Sequence, residues 1–221
     1  MRTYVYIDGF NLYYRMIKAR PALKWLNPLA LAKAVLKPEH VVERVNYYSA
    51  RISARAHDPD APARQAIYRK ALASMPEIVI HDGNFMMSEP WMPLTEPAKA
   101  KPDSYCWRLP PPDMVKVQKS EEKGSDVNLA AHLVRDACQN RFEAAVVLTN
   151  DSDLVEPIRI ATQELGKRVG LLAPVKYPTA SLLAVASFTL HVRPGHLAQA
   201  QFPSPLPLIG GGELHKPESW I

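Results

Sequence analysis

An apolar run that changes abruptly into polar residues marks the second half of the chain. Residues 146–148 are Val-Val-Leu, and Thr-Asn-Asp-Ser-Asp follows directly at 149–153. The next residues repeat apolar side chains at helical spacing up to Gly166. A buried parallel strand that turns at once into a helix has this pattern. Ligands of open α/β sheets bind outside the carboxyl ends of the strands, so a site is expected at Asp151 and Asp153.

Helix capping is an alternative explanation for these acids. Asp153 and Glu156 have the spacing of a capping box, and the helix dipole favours acidic residues near a helix start. Capping alone is sufficient to explain one pair of aspartates. A similar arrangement, however, recurs at two other places in the chain.

Two further aspartates lie at predicted helix starts. Residues 3–8 predict a first strand that ends at Asp8, before a helical stretch that contains Asn11. Asn11 is expected either to cap a turn or to hold Asp8 in place. Asp126 lies at the start of another predicted helix, after a charged loop that includes Lys123. Three separate junctions that each carry an aspartate are difficult to explain by capping preference alone.

Strands and helices alternate along most of the chain. Further strands are predicted at 41–49, 77–81, 114–117, 167–172 and 188–192, and further helices at 29–36, 63–74 and 179–186. The alternation predicts an α/β fold with a mostly parallel central sheet that is covered by helices on both faces. Right-handed crossovers would bring the four aspartates named above to one edge of this sheet.

Two segments depart from the alternation. Residues 82–112 are rich in proline and methionine and predict an insertion, either an ordered excursion or a flap on the substrate side. Residues 194–221 carry five prolines and three consecutive glycines, and predict an extended tail with Trp220 as a candidate anchor for its end. The chain is therefore divided into one domain at 1–193 and a tail.

The composition favours a polyanionic partner and the cytoplasm. The formal net charge is +5 in spite of the expected acidic cluster, which suits a polyanion substrate whose reaction needs a metal. No apolar run approaches the roughly 18 residues of a membrane helix. The two cysteines have neither metal-type spacing nor a disulfide framework. Self-association is left open. A predicted basic rim that attracts RNA consists of four residues that flank strand ends: Arg51, Arg55, Lys119 and Lys123.

Clustered carboxylates indicate a metal site. Unpaired acids repel one another and are costly to bury, whereas Mg²⁺ or Mn²⁺ takes carboxylate and water oxygens. Such a cation lowers the pKa of a bound water and stabilises charge on a phosphodiester. Lys123 is expected to neutralise charge on the phosphate. The sequence therefore predicts a Mg²⁺- or Mn²⁺-dependent enzyme that hydrolyses phosphodiester bonds.

Three blocks of sequence occur in a fixed order between residues 3 and 192. They are Tyr6–Leu12, Glu122–Ala130 and Thr149–Leu154. These blocks resemble those of NYN domain proteins, the LabA-like branch of the PIN-like nucleases. The resemblance implies a PIN-like α/β/α sandwich and a metal-dependent ribonuclease, with single-stranded RNA as the expected partner. By position it implies the metal ligands Asp8, Asp126, Asp151 and Asp153, supported by Asn11 and Thr149.

One position departs from the family pattern. Many PIN-like nucleases have another acid in the helix before the third block, where this chain has His132 and, one turn later, Asp136. A missing acid lowers the metal affinity or the number of metals bound. This leaves open a PIN-like RNA-binding or scaffold protein with little turnover. A phosphoacceptor receiver domain is disfavoured, because it needs an acid pair after the first strand and Asp8 is followed by Gly9.

Overall fold

A computed structural model describes residues 1–54, 56, 58–93 and 114–221 of the chain. The strands are β1 (Arg2–Asp8), β2 (Val41–Ala50), β3 (Ile78–Ser88), β4 (Trp91–Pro93), β5 (Met114–Lys116), β6 (Lys119–Lys123), β7 (Ala144–Leu148), β8 (Arg168–Ala173), β9 (Phe188–His191), β10 (Leu206–Pro207) and β11 (Glu213–Leu214). The α-helices are α1 (Gly9–Leu12), α2 (Pro28–Val35), α3 (Ala61–Ala73), α4 (Ser125–Cys138), α5 (Val155–Arg159), α6 (Ala180–Val185) and α7 (Pro194–Gln199). Short 3-10 turns lie at Pro21–Leu23, Ser152–Leu154 and Glu218–Trp220, and π-helical turns at Tyr13–Ile17 and Ile160–Glu164 continue α1 and α5.

Seven strands form one sheet in the order β6-β3-β2-β1-β7-β8-β9. All neighbours in this sheet are parallel except β6, which runs antiparallel to β3. From β1 the later strands β2, β3 and β6 follow on one side, and from β7 the strands β8 and β9 follow on the other, so the direction in which strands are added reverses between β1 and β7. In an open α/β sheet, such a reversal of strand order creates the crevice in which ligands bind. The predicted α/β fold with a mostly parallel sheet is confirmed.

The central strands are buried on both faces, as the continuous apolar sequence of β7 predicts. Ile7 and Leu148 belong to an apolar layer that includes residues of α2 and α3. Tyr6 and Val147 belong to a second layer, with residues of α4, α5 and α6. The sheet thus lies between two layers of helices. Among the residues that the structure describes, no helix is long and apolar enough to cross a membrane.

The strand β3 is longer than the sequence indicates, and β6 pairs with its extension. Ile78–Gly83 pairs with β2, and Asn84–Ser88 continues beyond β2 to pair with Lys119–Lys123 of β6. We call Asn84–Ser88 and Lys119–Lys123 the β3–β6 ribbon. Residues 82–88 are thus an ordered part of β3, which agrees with the first of the two alternatives for the insertion, whereas the prediction of a charged loop before α4 is wrong. The rest of the insertion contains β4, which pairs with β5. Residues 94–113 between these two strands lie outside the described residues.

The segment after Arg193 packs on the rest of the domain. It contains α7 and the β10–β11 hairpin, and the side chain of Trp220 is buried. The Trp220 ring lies 6.4 Å from Trp25 and 6.1 Å from Tyr68, measured between ring centroids. The Trp25 indole N–H also donates to the carbonyl oxygen of Pro203 at 3.0 Å. The prediction of an extended tail is wrong, whereas its candidate anchor Trp220 is buried as proposed.

Candidate functional site

A pocket of about 260 Å³ opens beside the carboxyl ends of β1 and β7. Two of its walls are acidic and polar, and come from the end of β1, the turn after β7 and the start of α4. A further wall comes from α1, the turn after it and the β3–β6 ribbon. The lining residues are Asp8, Phe10, Asn11, Tyr14, Phe85, Ser120, Glu122, Ser125, Asp126 and Asp151.

Asp8 is held in one orientation at the end of β1. Its Oδ1 accepts a hydrogen bond from the backbone N–H of Asn11 at 2.9 Å, which caps α1. Its Oδ2 accepts from the Asn11 amide at 2.9 Å and from the Thr149 hydroxyl at 3.1 Å. Burial raises the pKa of Asp8, these hydrogen bonds oppose the rise, and the charge of Asp151 adds to it. Capping and a site role are therefore compatible for this carboxylate.

Gly9 lets α1 start directly against β2. A Cβ atom at this position would collide with the carbonyl oxygen of Tyr48 and crowd the Tyr47 ring. The Asp-Gly sequence thus places the Asp8 carboxylate and the first turn of α1 together at the sheet edge.

The turn after β7 is joined to β1 through Thr149 and Asn11. The Thr149 hydroxyl, which donates to Asp8, also accepts from the backbone N–H of Asp151 at 3.0 Å. The Asn11 side-chain oxygen accepts from the backbone N–H of Asn150 at 3.2 Å. These bonds cross the β1–β7 junction and hold the two acidic turns side by side.

Asp151, and not Asp153, caps the turn that follows β7. The Asp151 Oδ1 accepts from the backbone N–H of Asp153 at 3.0 Å. The expected capping box of Asp153 and Glu156 is absent, because Glu156 pairs instead with Arg159 at 2.6 Å. Asp153 is exposed, and its carboxylate makes no hydrogen bond or ion pair within the described part of the chain.

The β3–β6 ribbon brings the start of α4 to the pocket. Gly124 adopts a left-handed conformation, with φ of 100°, between β6 and α4. Glu122 accepts hydrogen bonds from Ser125, at 3.0 Å from the backbone N–H and at 2.6 Å from the hydroxyl. Gly83 leaves room for the Glu122 carboxylate, which a Cβ atom there would overlap. Glu122 thus anchors the first turn of α4 and adds a carboxylate to the pocket that the sequence analysis missed.

Asp126 shows that the acids interact electrostatically. Its pKa is raised to about 6, first by burial and then by the negative charges around it. Those charges belong, in decreasing order, to Asp8, Asp151, Glu122 and Asp153. The structure therefore brings Asp8, Asp126 and Asp151 into one pocket, whereas Asp153 lies at its margin and does not line it.

Three residues of the predicted basic rim are described by the structure, and none of them lines the pocket: Arg51, Lys119 and Lys123. Lys119 lies 2.6 Å and Lys123 lies 3.6 Å from carboxylate oxygens of Glu121. Arg51 lies 3.6 Å from Asp82. Arg55 lies outside the described residues. Contacts of these side chains with RNA stay a prediction.

The two residues at the position where the family pattern has an acid also lie away from the pocket. His132 Nδ1 is 3.0 Å from the Tyr48 hydroxyl oxygen. Asp136 is fully buried, accepts a hydrogen bond from Tyr6 at 2.9 Å and pairs with two arginines. Neither residue supplies the missing carboxylate, whereas Glu122 offers a different one.

The donor chemistry of the pocket fits a hard divalent cation, because carboxylate and amide oxygens are the ligands that Mg²⁺ and Mn²⁺ take. The mutual repulsion recorded in the raised pKa of Asp126 is what such a cation would relieve. Over the described residues, no three Asp, Glu, His or Cys side chains are placed to hold one ion. The carboxylates therefore share one pocket, but the described residues do not place three of them around one ion.

Comparison with known proteins adds three findings. Residues 105–191 match the NYN domain family, a segment that includes Asp126 and Asp151. The chain is 29% identical over 243 residues to a Pseudomonas putida protein named 6-hydroxy-3-succinoylpyridine 3-monooxygenase, covering 100% of this chain and 75% of that protein. The crystal structure of a Vibrio parahaemolyticus protein of unknown function matches with a TM-score of 0.47 and 14% identity, covering 87% of this chain and 93% of that chain.

Proposed function

Because the chain carries an NYN domain over residues 105–191, a domain of PIN-like nuclease type, we propose that it is a metal-dependent ribonuclease. The observation that carries this proposal is the position of Asp8, Asp126 and Asp151 in one pocket at the reversal point of the sheet. Ligands of open α/β sheets bind at that point. Single-stranded RNA is the proposed substrate.

In this proposal the pocket carboxylates hold Mg²⁺ or Mn²⁺. Asp8, Asp126 and Asp151 are the proposed ligands, and Asp153 contributes its charge from the margin. When bound, such a cation supplies positive charge that stabilises a phosphodiester during hydrolysis. Glu122 is a candidate to replace the acid that the family pattern has elsewhere.

The remaining polar residues of the site act by positioning. Asn11 and Thr149 each donate to Asp8 and fix the direction of its carboxylate. Both also contact the turn after β7, so they keep Asp8 and Asp151 adjacent although the two charges repel. A site that holds repelling acids together before a cation arrives is preorganised for cation binding.

RNA binding in this proposal uses the four residues of the predicted basic rim. Lys119 and Lys123 would leave the carboxylate of Glu121 and bind phosphate oxygens. Arg51 would leave the carboxylate of Asp82 in the same way. Arg55 is proposed for the same role. Ion pairs between exposed side chains contribute little stability, so these exchanges cost little.

The test is cleavage of end-labelled single-stranded RNA and DNA by the purified protein with Mn²⁺, Mg²⁺ or EDTA. RNA should be cut only with a cation, and Asp151→Asn should lower the rate by orders of magnitude. Asp153→Asn should keep a cooperative melt and lose most of the cleavage. Asp60→Asn, which changes an exposed acid at the start of α3, is the matched control. If the wild-type protein binds RNA but no cation supports cleavage, the RNA-binding or scaffold alternative replaces the ribonuclease.

A second candidate is an oxygenase, favoured by the 29% identity to the Pseudomonas protein over the whole chain. It is tested by incubating the protein with 6-hydroxy-3-succinoylpyridine, O₂ and a reductant, and by measuring oxygen consumption and hydroxylated product. The ribonuclease proposal expects no turnover in this assay. Product that disappears in Asp151→Asn would assign the same pocket to oxygenation.

A further inference from the structure

One wall of the pocket is aromatic. Phe10 and Phe85 meet edge to face with ring centroids 5.8 Å apart, and Phe10 and Tyr14 are stacked at 6.5 Å. Phe10 and Tyr14 come from the first turns after β1, and Phe85 comes from the β3–β6 ribbon. All three line the pocket that contains Asp8, and we call them the aromatic wall.

Packing of the hydrophobic core does not account for these rings. None of the three belongs to either of the two apolar layers on the faces of the sheet. The side chain of Tyr14 is 57% exposed, and Phe10 and Phe85 are partly exposed. Large rings that stay in contact with water at the mouth of a polar pocket point to an aromatic ligand, because stacking would cover surface that the fold leaves uncovered.

We infer that the aromatic wall is a subsite that stacks one unpaired nucleobase beside the carboxylates. The inference rests on the proposed ribonuclease function and specifies how the pocket would hold its substrate. A nucleotide is complementary to both sides of the pocket: its flat base would stack on the aromatic wall, and its phosphate would face the side on which the carboxylates are proposed to hold a cation. Every base has a face that can stack, so this contact selects strand state and not sequence.

The size of the pocket limits its contents to about one nucleotide unit. Its volume of about 260 Å³ lies below the roughly 300–1,000 Å³ of pockets for drug-sized ligands. The Lys18 ammonium lies over the Tyr14 ring, 5.0 Å from its centroid, so a positive charge is available beside the wall for a phosphate group. A base within a duplex must be unstacked and unpaired before it can reach such a wall.

The test uses short single-stranded RNA that carries one 2-aminopurine, whose fluorescence falls when it stacks on an aromatic ring. Titration in Ca²⁺ measures binding and stacking with a divalent cation present and limits cleavage. Tyr14→Ala should weaken binding about tenfold, which corresponds to about 1.4 kcal/mol, and should remove most of the quenching. Tyr14→Phe retains the ring and should restore both.

Tyr177→Ala is the matched control. Tyr177 is exposed and has the Lys176 ammonium 5.0 Å from its ring centroid, as Tyr14 has Lys18, but it does not line the pocket. This variant should bind and quench like the wild type. Since both tyrosines are exposed, thermal melts of the three variants should match that of the wild type.

The outcomes separate this inference from the ribonuclease proposal. Unchanged binding and quenching in Tyr14→Ala would overturn the aromatic wall, as would equal affinity for the same sequence in a duplex. Equal affinity for free 2-aminopurine riboside would also overturn it and would assign the wall to a small aromatic ligand. If quenching depends on Tyr14 but the protein cleaves no RNA with any cation, the stacking role of the aromatic wall is supported and the ribonuclease proposal is refuted.

Discussion

Replacement of Asp126 by asparagine should stabilise the metal-free protein at neutral pH. The pKa of Asp126 is raised from its ordinary 3.8 to about 6 because burial and four neighbouring acids disfavour its charge. Two pKa units correspond to roughly 3 kcal/mol of unfavourable interaction. Because the side chain is half-exposed, solvent screening reduces this to about 1.5 kcal/mol. Loss of a favourable charge at the start of α4 offsets about 0.5 kcal/mol. The expected net gain is about 1 kcal/mol, or about 2–4 °C in melting temperature for a chain of this size.

The gain should depend on pH in a defined direction. The folded state binds the Asp126 proton more tightly than the unfolded state, so wild-type stability from this group falls as pH rises from about 4 to about 6. Asp126→Asn lacks this pH-dependent contribution. Its free energy of unfolding should therefore exceed that of the wild type by almost nothing at pH 4 and by the full amount above pH 6. The pKa of His81, lowered to about 4, gives the opposite slope below pH 6.5 in both proteins and cancels in the difference.

Urea unfolding in EDTA at several pH values between 4 and 7.5 measures this difference. Asp60→Asn, an exposed acid at the start of α3, reports the effect of removing a helix-start charge alone. If Asp126→Asn is less stable than the wild type at pH 7, or if its gain does not change with pH, the acids do not repel one another as described.

Three further predictions concern the cation, the RNA and the tail. A hundredfold excess of Mg²⁺ or Mn²⁺ over its dissociation constant should stabilise the protein by about 2.7 kcal/mol in thermal melts; Asp151→Asn should lose most of this, and an unchanged response would exclude a shared site. The affinity for single-stranded RNA in Ca²⁺ should fall with salt by a logarithmic slope near −0.7 per phosphate contact. Lys119→Ala should reduce that slope by about one contact, whereas Lys33→Ala, an exposed lysine on α2, should leave it intact. Trp220→Ala should cost about 3–5 kcal/mol in urea unfolding; a loss below about 1 kcal/mol would mean that the tail unfolds separately from the domain.

The central half of the fold could be predicted because its sequence pattern is strong and local. The strand β7 is apolar throughout and buried throughout, and β1 is buried over its last four residues. The positions of Asp8 and Asp151 follow from the rule that parallel strands end at one edge. These elements required no knowledge of contacts between distant parts of the chain.

The β3–β6 ribbon could not be predicted, because its pattern carries no signal. The β6 sequence Lys-Ser-Glu-Glu-Lys lacks the apolar alternation of a strand and is paired to β3 through the backbone. Asp126 reaches the pocket because α4 follows an antiparallel strand that returns to the carboxyl edge of the sheet, and not because a parallel strand ends there. Phe85 and Glu122 belong to the same ribbon, so their positions in the pocket could not be predicted either.

The tail shows the limit of composition. Its prolines and glycines are typical of an extended segment. Its position is determined by contacts with residues far away in sequence, such as those of Trp220 with Trp25 and Tyr68. The segment buries four large apolar side chains, whose burial outweighs its composition: Leu197, Phe202, Leu206 and Trp220.

The position of β1 beside β7 has a consequence for synthesis on the ribosome. About 135 residues separate Asp8 from Ala144, so at roughly 5–20 residues per second one edge of β1 waits about 7 to 27 s for its partner. During that time the nascent chain displays an open, apolar strand edge, which is a target for chaperones and for misassembly. The acidic crevice does not exist until β7 docks. A partly synthesised chain would therefore present the Asp8 turn without the second acidic turn, and the pocket would be complete only after most of the chain has been made.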